Sequence, residues 1–293
     1  MGRFKTPLRY PGGKQRLSPF IQELLEVNEI DGNYLEPYAG GAGIAMELLL
    51  SKKVKKVHLN DSDKGVYAFW YSVINHTEAL CSKILSASMT IEEWKKRREI
   101  LKNNIEVDLL ELGFTTFFLN RCNRSGVLKG GVIGGIGQLG DYKMDARFNR
   151  NELISRIESI AMFGNQIFVT NMDAESYIGN YLPNIDQNSL IYLDPPYYNK
   201  ASGLYLNSYK NSDHARIAKI IQNDITHSWI LSYDGVPEIL NLYEERRHFL
   251  YDLQYSAQTV KKGKEVFIFD DEIELPKSCS LNHVNEGLKL ISG

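Results

Sequence analysis

The chain predicts an α/β protein with an open, doubly wound sheet and a mainly helical insertion in its middle. Three stretches carry that prediction. Residues 34–51 read as strand, glycine-rich turn and helix: Tyr34-Leu35-Glu36-Pro37-Tyr38, then Ala39-Gly40-Gly41-Ala42-Gly43, then Ile44 to Ser51. That is the nucleotide-binding arrangement of a doubly wound sheet. A second strand, Lys56 to Asn60, ends in Asp61-Ser62-Asp63, about 20 residues past the glycines, where such sheets place an acid for ribose hydroxyls. A third, Leu190 to Leu193, reads as a short buried strand ending at Asp194-Pro195-Pro196-Tyr197. Two consecutive prolines forbid both helix and ladder continuation, so a rigid turn closes the carboxyl end of that strand.

Composition narrows the class. With 293 residues, 43% of them hydrophobic, the chain is long enough for one large domain or one domain with a substantial insertion. Lys+Arg 34 against Asp+Glu 36 gives a net charge of −2, so any nucleic-acid partner must be met by local patches. Cys81, Cys122 and Cys279 are widely spaced, with no CxxC pair. That fits a reducing cytosol and argues against a disulfide framework or a zinc site. No apolar h-region opens the chain and no run reaches membrane-spanning length, so a soluble cytoplasmic protein without a metal is expected.

Each element follows in order. Leu8-Arg9-Tyr10-Pro11-Gly12-Gly13-Lys14 precedes a helix expected over Leu17 to Val27. Its glycines allow close backbone approach to a ligand, and Lys14 beside a helix N-terminus suits a carboxylate. The same stretch also reads as a plain loop before an amphipathic helix. The turn at Gly40, Gly41 and Gly43 lacks the Gly-Lys-Ser/Thr of a Walker loop and fits GxGxxG poorly, which disfavours a dinucleotide. Asp61 is the ribose acceptor in this reading, and Asp63 caps a helix starting near Lys64. His58, inside an apolar strand, reads as a packed histidine.

From Gly65 to about Arg156 the pattern turns helical and irregular, with helical spacing at Val66 to Ile74, Ile91 to Asn103 and Leu109 to Leu119. Lys95, Lys96, Arg97 and Arg98 read as a solvated face. Asn120-Arg121-Cys122-Asn123-Arg124-Ser125-Gly126 brings two arginines and two asparagines to a helix end, suited to phosphates and base edges or simply to capping. Seven glycines between 126 and 140 exclude a helix and predict a mobile loop or hairpin that contacts DNA and orders on binding. Lys129 lies within it, and Tyr142, Lys143, Arg147 and Arg150 follow.

The sheet resumes with a strand over Gln166 to Thr170, whose end, Asn171-Met172-Asp173, is expected near an adenine ring of a cofactor. The turn at Asp194 presents a carboxylate, a Pro195 carbonyl outside any ladder and the aromatic face of Tyr197. Two acceptors beside a flat π surface suit a planar ring bearing an exocyclic amine. Tyr198, Tyr205 and Tyr209 then stand in an aperiodic loop, read as a lid over a flipped base. A helix from Asp213 to about Asn223 and a buried strand over Ser228 to Ser232 follow. Lys261, Lys262 and Lys264 flank Gly263 ahead of a strand over Glu265 to Phe269, as a phosphate-contacting hairpin tip or a solvated turn.

Asp194-Pro195-Pro196-Tyr197 resembles the DPPY motif of enzymes that methylate exocyclic amines. In the order PGGK, PYAGGAG, NDSD, FLNRCNRSG and DPPY, the chain resembles the Dam-type (D12 class, alpha group) DNA adenine N6-methyltransferases over nearly its whole length. That resemblance implies a Rossmann-like S-adenosylmethionine-dependent methyltransferase sheet over residues 1–64 and 157–293, with a DNA target-recognition insertion over 65–156. It also implies site-specific methyl transfer from S-adenosylmethionine to N6 of an adenine flipped out of double-stranded DNA, by a monomer needing no metal, in a setting such as restriction-modification. Matched residues for the cofactor are Tyr10, Gly12, Lys14, Glu36, Pro37, Gly40, Gly41, Gly43, Asp61, Asp173 and Asp194. For catalysis they are Asp194, Pro195, Pro196 and Tyr197; for DNA they are Arg121, Asn123, Arg124, Lys129, Tyr142, Lys143, Lys261 and Lys264. Tyr10 stands where the family often has tryptophan, and the glycine-rich loop does not align with the family's sequence-reading hairpin. The alternatives are amine transfer to RNA adenine or cytosine N4, where serine more often replaces Asp194, and a methyltransferase-fold DNA-binding protein without activity.

Overall fold

The computed structural model describes residues 5–9, 14–198, 209–254 and 262–276. Its strands are β1 (Asn33–Glu36), β2 (Lys56–Asn60), β3 (Ile167–Thr170), β4 (Ser189–Leu193), β5 (Ser228–Asp234), β6 (His248–Gln254) and β7 (Lys262–Phe269). They form one sheet in the order β3-β2-β1-β4-β5-β7-β6. β1 pairs parallel with both β2 and β4, and β2–β3 and β4–β5 are parallel. β7 runs antiparallel between β5 and β6. This is the Rossmann-like methyltransferase sheet that the resemblance implies.

Every residue of β1 and of β4 is buried, as expected of central parallel strands covered on both faces. Alternation along β4 sorts its side chains. Leu190 and Tyr192 join the core that holds α1 (Ser18–Val27) and α2 (Gly43–Leu50). Ile191 and Leu193 face Ile217 and Ile221 on the far side, in a helix spanning Asn211–Asp224.

Between β2 and β3 lie α3 (Lys64–Asn75), α4 (Thr77–Ser86), α5 (Ile91–Lys102), α6 (Leu109–Cys122) and α7 (Arg150–Ala161). The expected helices at 66–74, 91–103 and 109–119 correspond to α3, α5 and α6. Asp63 caps α3, its carboxylate accepting from the Gly65 and Val66 amides at 2.7 and 3.2 Å. Thr90 and Asp108 cap α5 and α6 in the same way. α4 and α7 were not predicted: α4 follows α3 across His76 alone, with no glycine or proline to mark a break. The buried residues of this insertion, among them Trp94, Phe117, Phe118, Phe148 and Ile157, run without a gap into the core on the α1–α2 side of the sheet.

After β4 come α8 (Asn211–Asp224) and α9 (Pro237–Leu242). β7 begins at Lys262 rather than at Glu265, because its first half pairs with β6, an edge strand whose sequence HFLYDLQ lacks strict apolar–polar alternation. The chain direction along the sheet reverses between β1 and β4, and the carboxyl ends of those two strands open the crevice where such folds take ligands.

Candidate active site

Two turns meet at that crevice. The first follows β1. Gly40 adopts φ 46°, a left-handed conformation that glycine reaches without a Cβ clash. Its amide donates to Asp61 Oδ2 at 2.9 Å, and its carbonyl accepts from Trp70 Nε1 at 2.9 Å. The glycine turn is therefore tied to the acid at the end of β2, and the pairing inferred from spacing is a physical contact. At Gly43 a Cβ would come within 3.1 Å of the Gln15 side chain, so the first turn of α2 is packed closely against the segment after Lys14. Asn60 fastens the neighbouring strand ends, donating to the Pro37 and Met172 carbonyls at 3.0 Å each.

Burial, with the charge of Asp63 beside it, pushes the Asp61 carboxyl up to about 7. Glu36 is 4% exposed and accepts from the Ala45 amide at 3.2 Å; burial pushes its carboxyl up to about 8. Asp173 is exposed and caps a single helical turn through the Ser176 amide, and its bonds to Ser176 hold its carboxyl below the usual range.

The second turn is Asp194-Pro195-Pro196-Tyr197. The Asp194 side chain is 23% exposed, so one face of the carboxylate meets the crevice. Ser232, on the adjacent β5, donates to Asp194 Oδ1 at 2.8 Å, and the Tyr192 hydroxyl lies 2.8 Å from the Ser232 oxygen. Lys14 arrives from the other side. Its ammonium donates to the Tyr197 hydroxyl and to Glu265, lies 3.7 Å from Asp194 Oδ1 and sits 5.0 Å from the Tyr197 ring centre. Glu265, on β7, is 0% exposed and also accepts from the Tyr251 hydroxyl of β6 at 2.8 Å. Burial raises the Asp194 carboxyl; Lys14 opposes that shift, and the Glu265 charge adds to it.

Tyr197 departs from expectation. Its ring is 4% exposed and packs between Lys14 and Tyr233, whose ring centre lies 6.1 Å away, so no open stacking face is presented. Past the motif, the Tyr198 amide donates to Asp234 at 2.9 Å, and the Tyr209 hydroxyl lies 2.9 Å from that of Tyr38 in the glycine turn. Tyr205 lies outside the described residues, as do Tyr10, Gly12 and Lys261; for Lys264 only the backbone, in β7, is described.

The insertion corrects three sequence expectations. Arg121 is 7% exposed and donates from Nε to the Pro7 carbonyl at 2.7 Å. Asn123 is 0% exposed, accepts from Trp94 Nε1 at 2.7 Å and donates to the Val127 and Leu128 carbonyls at 2.9 Å. Both polar groups are satisfied inside the protein, so neither faces DNA in this conformation. Arg97, in the charge run read as solvated, is 6% exposed and paired with Glu93 and Glu111. By contrast Arg124, Lys129, Tyr142 and Lys143 are all exposed, on the turn after α6 and the loop beyond it. That glycine-rich loop has no helix, as expected, but it is fastened rather than loose. Gln138 donates to the Ile133 and Gly135 carbonyls and accepts from the Met144 amide, while Val132 is buried.

Reasoning from sequence missed Glu265 and Ser232. Asn120, read in sequence as a DNA contact or a cap, is buried and clamps the Arg9 backbone, accepting from its amide at 2.7 Å and donating to its carbonyl at 2.6 Å. An acid opening the otherwise apolar run Val266-Phe267-Ile268-Phe269 was the available signal for Glu265. Among the described residues no His/Cys/Asp/Glu cluster suited to a metal occurs, and no helix is long and apolar enough to cross a membrane.

Comparison with known proteins adds four findings. A family model described as D12 class N6 adenine-specific DNA methyltransferase matches residues 10–260. The Type II methyltransferase M.MjaIII of Methanocaldococcus jannaschii is 25% identical over 234 residues, covering 73% of this chain and 78% of that protein. Among solved structures, an rRNA methyltransferase, aviRa, from Streptomyces viridochromogenes is 12% identical with TM-score 0.36, covering 89% of this chain and 86% of that one. Protein LPL1258 from Legionella pneumophila is 13% identical with TM-score 0.36, covering 93% and 89%.

Proposed function

The chain belongs to the D12 class of N6 adenine-specific DNA methyltransferases, and from that premise we propose how its residues divide the work of methylating adenine in DNA. The methyl donor in this reading is S-adenosylmethionine, which supplies an electrophilic methyl group when bound. The residues around the glycine turn fit it: the partly exposed Asp61 carboxylate is aimed by Gly40 and Asp63 amides and keeps lone pairs for a ribose. Gly40, Gly41 and Gly43 give close backbone approach, Glu36 and Pro37 frame the turn from β1, and Asp173 borders the site from the end of β3.

The duplex hides adenine N6 in a base pair, so the target base must be flipped into the crevice. Asp194 and the Pro195 carbonyl accept from the extruded amine and turn its nitrogen toward the methyl donor. That lone pair is delocalised into the ring, so positioning and charge stabilisation carry the catalysis. As the nitrogen becomes cationic, the Asp194 carboxylate and the carbonyl dipole stabilise it, and a proton then leaves. Tyr197 stacks on the base once its ring turns from Lys14. Residues 65–156 form the target-recognition part, with Arg124, Lys129, Tyr142 and Lys143 toward the phosphates and grooves. Likeness to a Type II methyltransferase supports a role paired with a restriction enzyme.

One observation supports this reading above the others. The glycine turn with its acid and the Asp194 turn stand at the carboxyl ends of adjacent parallel strands, β1 and β4. The test is transfer of labelled methyl from S-adenosylmethionine to unmethylated duplex DNA, followed by modified-base sequencing. N6-methyladenine confined to one short motif supports the reading and supplies the specificity. Label on RNA or on cytosine N4, or none with cofactor bound, overturns it.

A further inference from the structure

The ammonium of Lys14 serves two carboxylates at once, and it serves them unequally. It contacts Glu265 directly but stops 3.7 Å from Asp194 Oδ1, beyond hydrogen-bond reach. Glu265 is fully buried, its Oε2 also accepts from the Tyr251 hydroxyl at 2.8 Å, and it lies on the strand that threads between β5 and β6. A buried carboxylate is costly unless a cation and further hydrogen bonds satisfy it, and Lys14 and Tyr251 contribute to that here. We propose that Glu265 is a positioning residue for methyl transfer: it holds Lys14 off Asp194, so that the Asp194 carboxylate is electrostatically balanced yet free to accept from the target amine.

The alternative arrangement is easy to state. Without the Glu265 charge, the Lys14 ammonium closes onto Asp194 as a contact ion pair. Its N–H groups then occupy the oxygen that the substrate needs, and entry of the amine requires breaking that pair in a low-dielectric site. Other groups close to Asp194 are Ser232 and the hydroxyls of Tyr192, Tyr197 and Tyr251, with the Glu36 carboxyl beyond Tyr34 on β1. Among the described residues, none of these supplies a second cation. Glu265 thus decides which carboxylate Lys14 contacts.

This inference rests on the proposed role of Asp194, and its test separates the two. Glu265→Gln keeps the shape and an acceptor for Tyr251 but removes the charge. Its kcat for methylation is expected to fall about 30- to 100-fold while the KM values for cofactor and DNA move less than about threefold. The acid limb of its kcat profile moves to lower pH, since the raising influence of Glu265 on Asp194 is gone. In a Lys14→Met background the same change adds less than about threefold, because the effect travels through Lys14. Should Glu265→Gln fail to fold, Tyr251→Phe loosens the same carboxylate and gives a smaller loss of kcat with cofactor affinity unchanged. A second readout needs no activity: 15N-lysine NMR of the wild-type protein is expected to show a slowly exchanging Lys14 ammonium that Glu265→Gln changes. Wild-type-like kcat in folded Glu265→Gln, an undiminished effect in the Lys14→Met background, or a fast-exchanging wild-type ammonium overturns the inference. A protected ammonium in a wild type that methylates no DNA overturns the functional reading alone.

Discussion

The crevice and the insertion both bury charged and polar side chains, but to opposite ends. In the insertion Arg97, Arg121 and Asn123 all close on protein. Arg97 is enclosed by Glu93 and Glu111, with Lys83 completing the network on Glu111 at 2.8 Å. Arg121 ends on a backbone carbonyl, and Asn123 serves one tryptophan and two carbonyls. At the crevice the groups are left mutually unbalanced. Lys14 is shared between Glu265 and Asp194, and burial raises the carboxyls of Asp194, Glu36 and Asp61. Buried polarity is architecture where each donor meets its acceptor, and chemistry where a charge is held short of its partner.

Substitutions that remove a single group from each region test the contrast. The largest effect is expected from Asp194→Ala, which removes the amine acceptor. Methyl transfer should drop by at least about 1,000-fold while the unfolding midpoint is maintained or rises, because a part-buried charge is lost. Transfer within tenfold of wild type ends the assignment. Asn123→Ala should behave in the reverse sense. It strands Trp94 Nε1 and two carbonyls, so stability is expected to fall by about 2–4 kcal/mol in denaturant titration, with cofactor affinity by calorimetry unchanged. A silent Asn123→Ala would return that residue to the DNA-contacting set.

Asp61 sharpens the comparison through pH. Its folded carboxyl lies near 7, against an ordinary 3.8. A raised carboxyl contributes most stability below its unfolded value, and that contribution is lost as pH rises through the folded one. Asp61→Asn should therefore stabilise the cofactor-free protein at pH 8, by about 1 kcal/mol after allowance for partial exposure, with the gain fading toward pH 4. Cofactor affinity of the same variant should fall at pH 8; a gain in stability that ignores pH contradicts the account. The smallest effects belong to the exposed turn. Arg124→Ala and Lys129→Ala should each reduce the salt slope of DNA binding by about one, leaving cofactor affinity alone.

How much of this was legible follows the same division. Periodicity and punctuation located six of the seven strands and most helices, because central parallel strands are continuously apolar and the motifs end them sharply. β6 was missed, since an edge strand paired on one side with a late hairpin carries little pattern of its own. The Asp61 contact with the glycine turn was predictable, because two local signals at fixed spacing imply one site. The roles of Arg121 and Asn123 were not. A polar residue at a helix end looks the same in sequence whether it turns outward to a phosphate or inward to a tryptophan. For Glu265 the local signal, an acid opening an apolar run, marks the position but not its role, as its partner is 251 positions away.

That distance has a consequence for the birth of the enzyme. Ribosomes add about 5–20 residues each second and domains assemble as the chain emerges, so Lys14 waits roughly 13–50 s for Glu265. For about the last 70 residues of that interval, roughly 4–14 s, the glycine turn, the insertion and the Asp194 turn are already made, while β7 has yet to enter the gap beside β5. With Glu265 positioning Lys14 as proposed, an unfinished chain would hold Lys14 against Asp194, in the arrangement that denies the substrate its acceptor. On that proposal competence comes only with β7, and a chain released before Glu265 would carry a site that is shut.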